Sequence, residues 1–121
     1  MVEDDAAIVD IYATVMTKAH IDVDIMGLGA DVMKKLQAIQ KGEEVKPDLV
    51  LLDLTLPDMD GMDILVEMKK NPATKDITVF ILSNQTEIKI KEGGAKPDKF
   101  IVKANVTPTE LLDIVQKQLK D

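Results

Sequence analysis

Apolar runs and amphipathic segments alternate along the whole chain. From Ala6 to Ala19, Ile8, Ile11, Tyr12, Val15, Met16 and Ala19 recur at the spacing of one helical face. Asp4 or Asp5 is placed to cap that helix, with Asp5 the better candidate. Ile21-Asp22-Val23-Asp24-Ile25 alternates strictly, which predicts a strand with one wet face, at the edge of a sheet. Val32, Met33, Leu36 and Ile39 predict a helix over Ala30–Gln40, stopped by Gly42. Leu49–Leu52 is continuously apolar and too short for a helix, so it reads as a strand buried on both faces. Met62–Lys70 reads as a helix ending before Asn71-Pro72. Thr78–Leu82 and Phe100–Val102 read as two more buried strands. Thr107-Pro108-Thr109-Glu110 is a capping box with Pro at the first helical position, opening a last helix through Leu119.

This alternation predicts an α/β domain around a mostly parallel sheet. No linker, repeat or low-complexity stretch interrupts it, so residues 1–121 read as one domain. Two places depart from regularity. Only Met1 and Val2 precede the first acidic residues, leaving a stub where a first strand is expected. Thr86–Glu92 is short for a crossover helix before Gly93-Gly94.

Composition narrows the function classes. The chain carries 15 basic residues, all Lys, against 22 acidic ones, for a net charge of −7. An acidic surface without Arg, with Tyr12, Phe80 and Phe100 as its only aromatics, argues against nucleic-acid binding. Without Cys there is no disulfide framework or thiolate metal site. No apolar run approaches the ~20 residues of a membrane span, and the acidic start is unlike a signal peptide. A cytoplasmic location is the expectation.

Candidate chemistry follows from topology. Open parallel sheets bind ligands beyond the carboxyl ends of their strands. The residues there are Glu3, Asp4 and Asp5 after Val2, Asp53 after Leu52, Ser83 after Leu82 and Lys103 after Val102. Taken singly, each is more often a cap, a turn residue or a solvated charge. Together they put carboxylates, a hydroxyl and an ammonium on one rim. Clustered carboxylates repel unless protonated or neutralised, and Mg²⁺ suits one or two carboxylates plus waters and phosphate oxygens. With Lys103 as a point charge and Ser83 as a donor, the rim fits a phosphoryl group, and a carboxylate can itself be the nucleophile.

Over essentially its whole length the chain resembles bacterial response-regulator receiver domains of the single-domain, chemotaxis-regulator kind. The resemblance rests on the run Pro47 to Gly61, with Val2-Glu3-Asp4-Asp5, Phe80-Ile81-Leu82-Ser83 and Phe100-Ile101-Val102-Lys103. It implies a flavodoxin-like, doubly wound, five-stranded parallel sheet in the order 2-1-3-4-5 with five helices, its first strand unusually short here. It implies a phosphorelay switch in which Asp53 accepts a phosphoryl group from a sensor histidine kinase or phosphotransfer protein. Asp4, Asp53 and the Thr55 backbone carbonyl would bind Mg²⁺, and Glu3 would do so through water. Ser83 and Lys103 would contact phosphoryl oxygens, Phe100 would change rotamer, and Thr55 and Gln85 would tune dephosphorylation. A downstream protein would read the state, with no turnover of free substrates. The fourth helix, fifth strand and fifth helix form the usual output face in such domains, so a short fourth helix implies a different partner surface.

Ala104 stands where these domains usually have Pro after a cis bond. A non-Pro cis bond costs ~3 kcal/mol against ~0.5–1 for X–Pro, so trans is expected. The stub and Ala104 motivate an alternative, a non-phosphorylated receiver acting as an interaction module. A phosphohydrolase of the haloacid-dehalogenase type would need a second Asp where Thr55 stands. Gly27-Leu28-Gly29 lacks the third glycine of a dinucleotide motif, since position 32 is Val32. His20 reads as a partner of the first helix's C-terminal dipole, and the Met residues as core filler.

Overall fold

The computed structural model describes residues 1–3, 5–83 and 96–120. The elements are α1 (Ala6–Lys18), α2 (Gly29–Gln40), β1 (Leu49–Leu52), α3 (Gly61–Lys70), β2 (Thr78–Ser83), β3 (Lys99–Val102), a 3₁₀ turn over Lys103–Asn105 and α4 (Pro108–Leu119). The expected short crossover helix over Thr86–Glu92 lies outside the described residues.

β1, β2 and β3 form a parallel sheet in that order, with Leu51 opposite Phe80 and Ile81 opposite Phe100. Because side chains alternate across a strand, the sheet feeds two cores. Leu52, Val79 and Ile81, with Phe100 packed against them, meet α2 and α3 through Val32, Leu36, Leu65 and Met68. Leu51, Phe80, Leu82 and Ile101 meet α1 and α4 through Tyr12, Met16, Leu111 and Val115. Helices therefore cover both faces, which explains why the interior positions of these strands are apolar on both sides.

The strand expected over Ile21–Ile25 does not form. Ile21 and Val23 are half-buried and Asp22 and Asp24 exposed, but Ile25 is exposed as well, and only Met26 is bridged. The physical reason is its neighbour. Val2 alone makes parallel bridges to both Met26 and Leu52. Its N–H donates to Leu51 O at 2.7 Å, and the Asp53 N–H donates to Val2 O at 3.0 Å. The Met26 N–H also donates to Met1 O, the Glu3 N–H to Met26 O and the Met1 amino group to Asp24 O, so this pairing runs from Met26 to Asp24 and leaves Ile21–Val23 unbridged. A groove of about 740 Å³ opens there instead, among Ile21, Val23, Leu49 and Val50.

Helix ends follow local chemistry. Asp5 accepts hydrogen bonds from the Ala7 and Ile8 N–H groups, and the Thr107–Glu110 capping box is complete. Gly42, at φ 78°, lies just beyond α2. His20 acts through its backbone: at φ 63° it takes the left-handed position that closes α1, and the Ile21 N–H reaches Met16 O at 3.0 Å. Thr74, fully buried, donates its hydroxyl to Met68 O at 2.8 Å and secures the end of α3.

The β1–α3 loop closes tightly on the end of β1. Gly61 donates its N–H to Leu54 O at 2.8 Å, and Thr55 bridges Asp60. A Cβ at position 61 would stand 2.3 Å from the Asp53 carbonyl oxygen and 2.9 Å from Leu54 Cα. Both are backbone atoms, so the loop itself would have to move. Gly61→Ala is therefore expected to destabilise the fold by about 2 kcal/mol. Urea unfolding measures this, and an unchanged midpoint would show that the loop yields freely.

Candidate functional site

The carboxyl ends of β1, β2 and β3 and the Val2 lane converge on one buried ionic cluster. Asp53 follows β1 and is 6 % exposed, while Glu3 follows Val2 and is 3 % exposed. Lys103 follows β3 and points its ammonium between them, 2.6 Å from Glu3 Oε2 and 3.4 Å from Asp53 Oδ2. Parallel strands starting far apart in sequence thus deliver opposite charges to one point, across 100 residues for the Glu3–Lys103 pair.

The backbone orients both carboxylates. The Thr55 N–H donates to Asp53 Oδ1 at 3.2 Å, and the Asp5 N–H donates to Glu3 Oε1 at 3.2 Å. Burial pushes the Glu3 carboxyl above its ordinary range, the Lys103 ammonium pulls it back, and the Asp53 charge pushes it up again. Lys103 sits in the complementary field. Burial lowers its pKa, but the two carboxylates outweigh that and leave it raised. Burial also raises the Tyr12 hydroxyl, which feels both Lys103 and Glu3 from α1.

Of the residues singled out in the sequence, Glu3, Asp53 and Lys103 are in direct contact. Ser83 is buried at the end of β2, in register with Val102 just before Lys103. Thr55 exposes its side chain but donates its main-chain N–H to Asp53. Phe100 is half-buried and packs on the α2–α3 side. Asp4 and Gln85 lie outside the described residues. The Lys103–Ala104 bond is trans, as expected, and turns directly into the 3₁₀ segment.

No group of three or more metal-ligating side chains occurs among the described residues. Glu3 and Asp53 are nonetheless two buried carboxylates sharing one ammonium, and Glu3 is held above its ordinary pKa by that burial. Such a donor set suits a hard divalent ion completed by water, main-chain and phosphate oxygens. Residues Glu3, Asp53 and the Thr55 main chain fit Mg²⁺.

The sequence reading missed Asp58. It lies in the β1–α3 loop, yet its carboxylate reaches the start of α2, accepting from Gly29 N–H at 2.7 Å and Ala30 N–H at 2.9 Å. These bonds hold its carboxyl below its ordinary range. The one signal available was that α2 begins at Leu28-Gly29, with no capping side chain of its own.

Comparison with known proteins agrees with this geometry. The profile of the response regulator receiver domain family matches residues 1–116. The regulatory protein LuxO of Vibrio cholerae is 36% identical over 107 residues, which cover 85% of this chain and 21% of LuxO. This chain thus corresponds to about a fifth of the length of that relative. The chemotaxis protein CheY of Listeria monocytogenes is 40% identical over 77 residues, covering 61% of this chain and 62% of CheY. Among solved structures, the Mn²⁺-bound form of response regulator Rcp1 matches with a TM-score of 0.76 and 30% identity, covering 96% of this chain and 86% of that one. No helix among the described residues is long and apolar enough to cross a membrane. By its sequence profile and its fold, this chain belongs to the response regulator receiver domain family.

Proposed function

We propose that this chain is a phosphoacceptor switch of a two-component phosphorelay, with Asp53 as the acceptor. The observation that carries the reading is the ammonium of Lys103 held between the buried Asp53 and Glu3 carboxylates. An Asp53 oxygen attacks the phosphorus of a phosphohistidine on a sensor kinase or phosphotransfer protein. A new P–O bond forms as the P–N bond breaks, and the electron pair leaves with the imidazole nitrogen, which takes up a proton. Lys103 follows the added charge from Glu3 towards the phosphoryl oxygens, and Ser83 donates to them. Mg²⁺, held by Asp4, Asp53, the Thr55 carbonyl and, through water, Glu3, supplies charge neutralisation when bound.

Thr55 and Gln85 set the lifetime of the aspartyl phosphate. Phe100 reports its presence by changing rotamer, which alters the surface that a downstream protein meets. The proposed frame is the order 2-1-3-4-5 with five helices, with Ile21–Ile25 and Val2 in the first two lanes. The unit works in the cytoplasm and turns over no free substrate.

The single-residue bridge at Val2 favours a second reading, a receiver that is no longer phosphorylated and serves as an interaction module. Intact mass after incubation with acetyl phosphate and Mg²⁺ separates the two. One phosphoryl group is expected on wild type and none on Asp53→Asn. A folded wild type that gains no adduct, and shows no saturable Mg²⁺ binding, sinks the switch and leaves the module.

Lys103→Met tests the electrostatics. Removing the cation strands two buried carboxylates and is expected to cost about 3 kcal/mol at pH 7. Without Lys103 the Glu3 carboxyl rises further, so the folded state binds its proton more tightly than the unfolded state. Stability of the variant then falls as pH rises from the ordinary value of 4.5 through the folded value. The deficit relative to wild type should shrink on going from pH 7 towards pH 5. In wild type, the raised Lys103 contributes in full below its ordinary value of 10.5, and its share is lost as pH climbs through the folded value. Urea unfolding across this range checks both signs, and a pH-independent deficit would contradict the burial argument.

A further inference from the structure

The acceptor loop is held at three points. Its ends are closed by the Gly61–Leu54 hydrogen bond and the Thr55–Asp60 bridge. Its middle is tied to a different element. Asp58 grips the first N–H groups of α2 with both carboxylate oxygens, at 2.7 and 2.9 Å. Met59 adds a packing contact beside it: a Cβ on Gly29 would lie 2.2 Å from Met59 Cγ and Sδ, so the Met59 side chain occupies the space over Gly29. Helix α2 has no side-chain cap from Leu28, so the loop supplies what the helix lacks. The anchor also has a route to the chemistry. Thr55 is three residues from Asp58 and donates its N–H to Asp53 Oδ1 at 3.2 Å.

We propose that Asp58 is a positioning residue for the acceptor site. Its two-oxygen grip on α2, with Met59 seated on Gly29, holds the loop so that the Thr55 main chain orients the Asp53 carboxylate. The role in phosphoryl uptake rests on the switch reading above; the mechanical coupling of α2 to the acceptor loop does not. Carboxylate caps are common, but this one joins two elements rather than serving its own helix. Loosening it frees the loop as well as the helix end.

The test compares Asp58→Ala and Asp58→Asn with Thr107→Ala. The last removes the cap of α4, which belongs to the core on the opposite face of the sheet. Amide hydrogen exchange at Gly29, Ala30 and Thr55, together with Mg²⁺ affinity from titration, reads the anchor without any phosphorylation. Asp58→Ala is expected to speed exchange at all three amides and to weaken Mg²⁺ binding by about tenfold. Asp58→Asn, which keeps one acceptor oxygen, should fall between. Thr107→Ala should leave Thr55 exchange and Mg²⁺ affinity within about twofold of wild type, as expected for a separate site. The proposal is overturned if Asp58→Ala frees Gly29 and Ala30 while Thr55 exchange stays at the wild-type rate. It is also overturned if Thr107→Ala loosens Thr55 equally. Should wild type take up no phosphoryl group while the Thr55 difference persists, the switch reading fails and the positioning role stands.

Discussion

Two carboxylates and one ammonium, buried together at the carboxyl end of a parallel sheet, are the constraint on which the rest of this molecule turns. Charges removed from water must be paired or pushed towards their neutral forms. Glu3 and Asp53 share Lys103 as partner, and the pairing demands that Val2, β1 and β3 end at the same level. Parallel register supplies that alignment, because every strand delivers its following residue to the same rim. With two carboxylates and one ammonium, the cluster keeps one negative charge in excess.

The neighbourhood of Asp53 is tightly restrained. The loop after Asp53 packs so closely that Gly61 leaves no room for a Cβ against the Asp53 carbonyl. It is also fastened to α2 through Asp58. A loop restrained at its ends and its middle cannot absorb a displacement of Asp53 silently. Motion of Asp53 must pass into α2 and α3 or be resisted by them. On the other face, Tyr12 lies close enough to feel Lys103 and Glu3, so α1 shares the same field.

Much of the fold was legible because its signals are local. Helical spacing and capping residues located α1, α2, α3 and α4 to within a residue or so. Continuous apolar runs located β1, β2 and β3, because a strand covered on both faces has no polar face to show. The edge strand over Ile21–Ile25 misled for an equally physical reason. Alternation is a local pattern, whereas a ladder needs partner backbone; Ile25 ends exposed, and the bridge to Val2 forms at Met26 instead.

Sequence alone determined the α/β class, the helix ends and the chemical identity of the rim, since periodicity, caps and the residue after each apolar run are properties of neighbours along the chain. Tertiary structure decided what those residues do to one another. It set Lys103 against Glu3 at 2.6 Å, bridged Val2 to both Met26 and Leu52, and sent Asp58 to cap a helix 28 residues upstream. Each of these joins segments distant in sequence. Hydrogen bonds and ion pairs of that kind depend on distances that only packing sets, and no local pattern of residues encodes them.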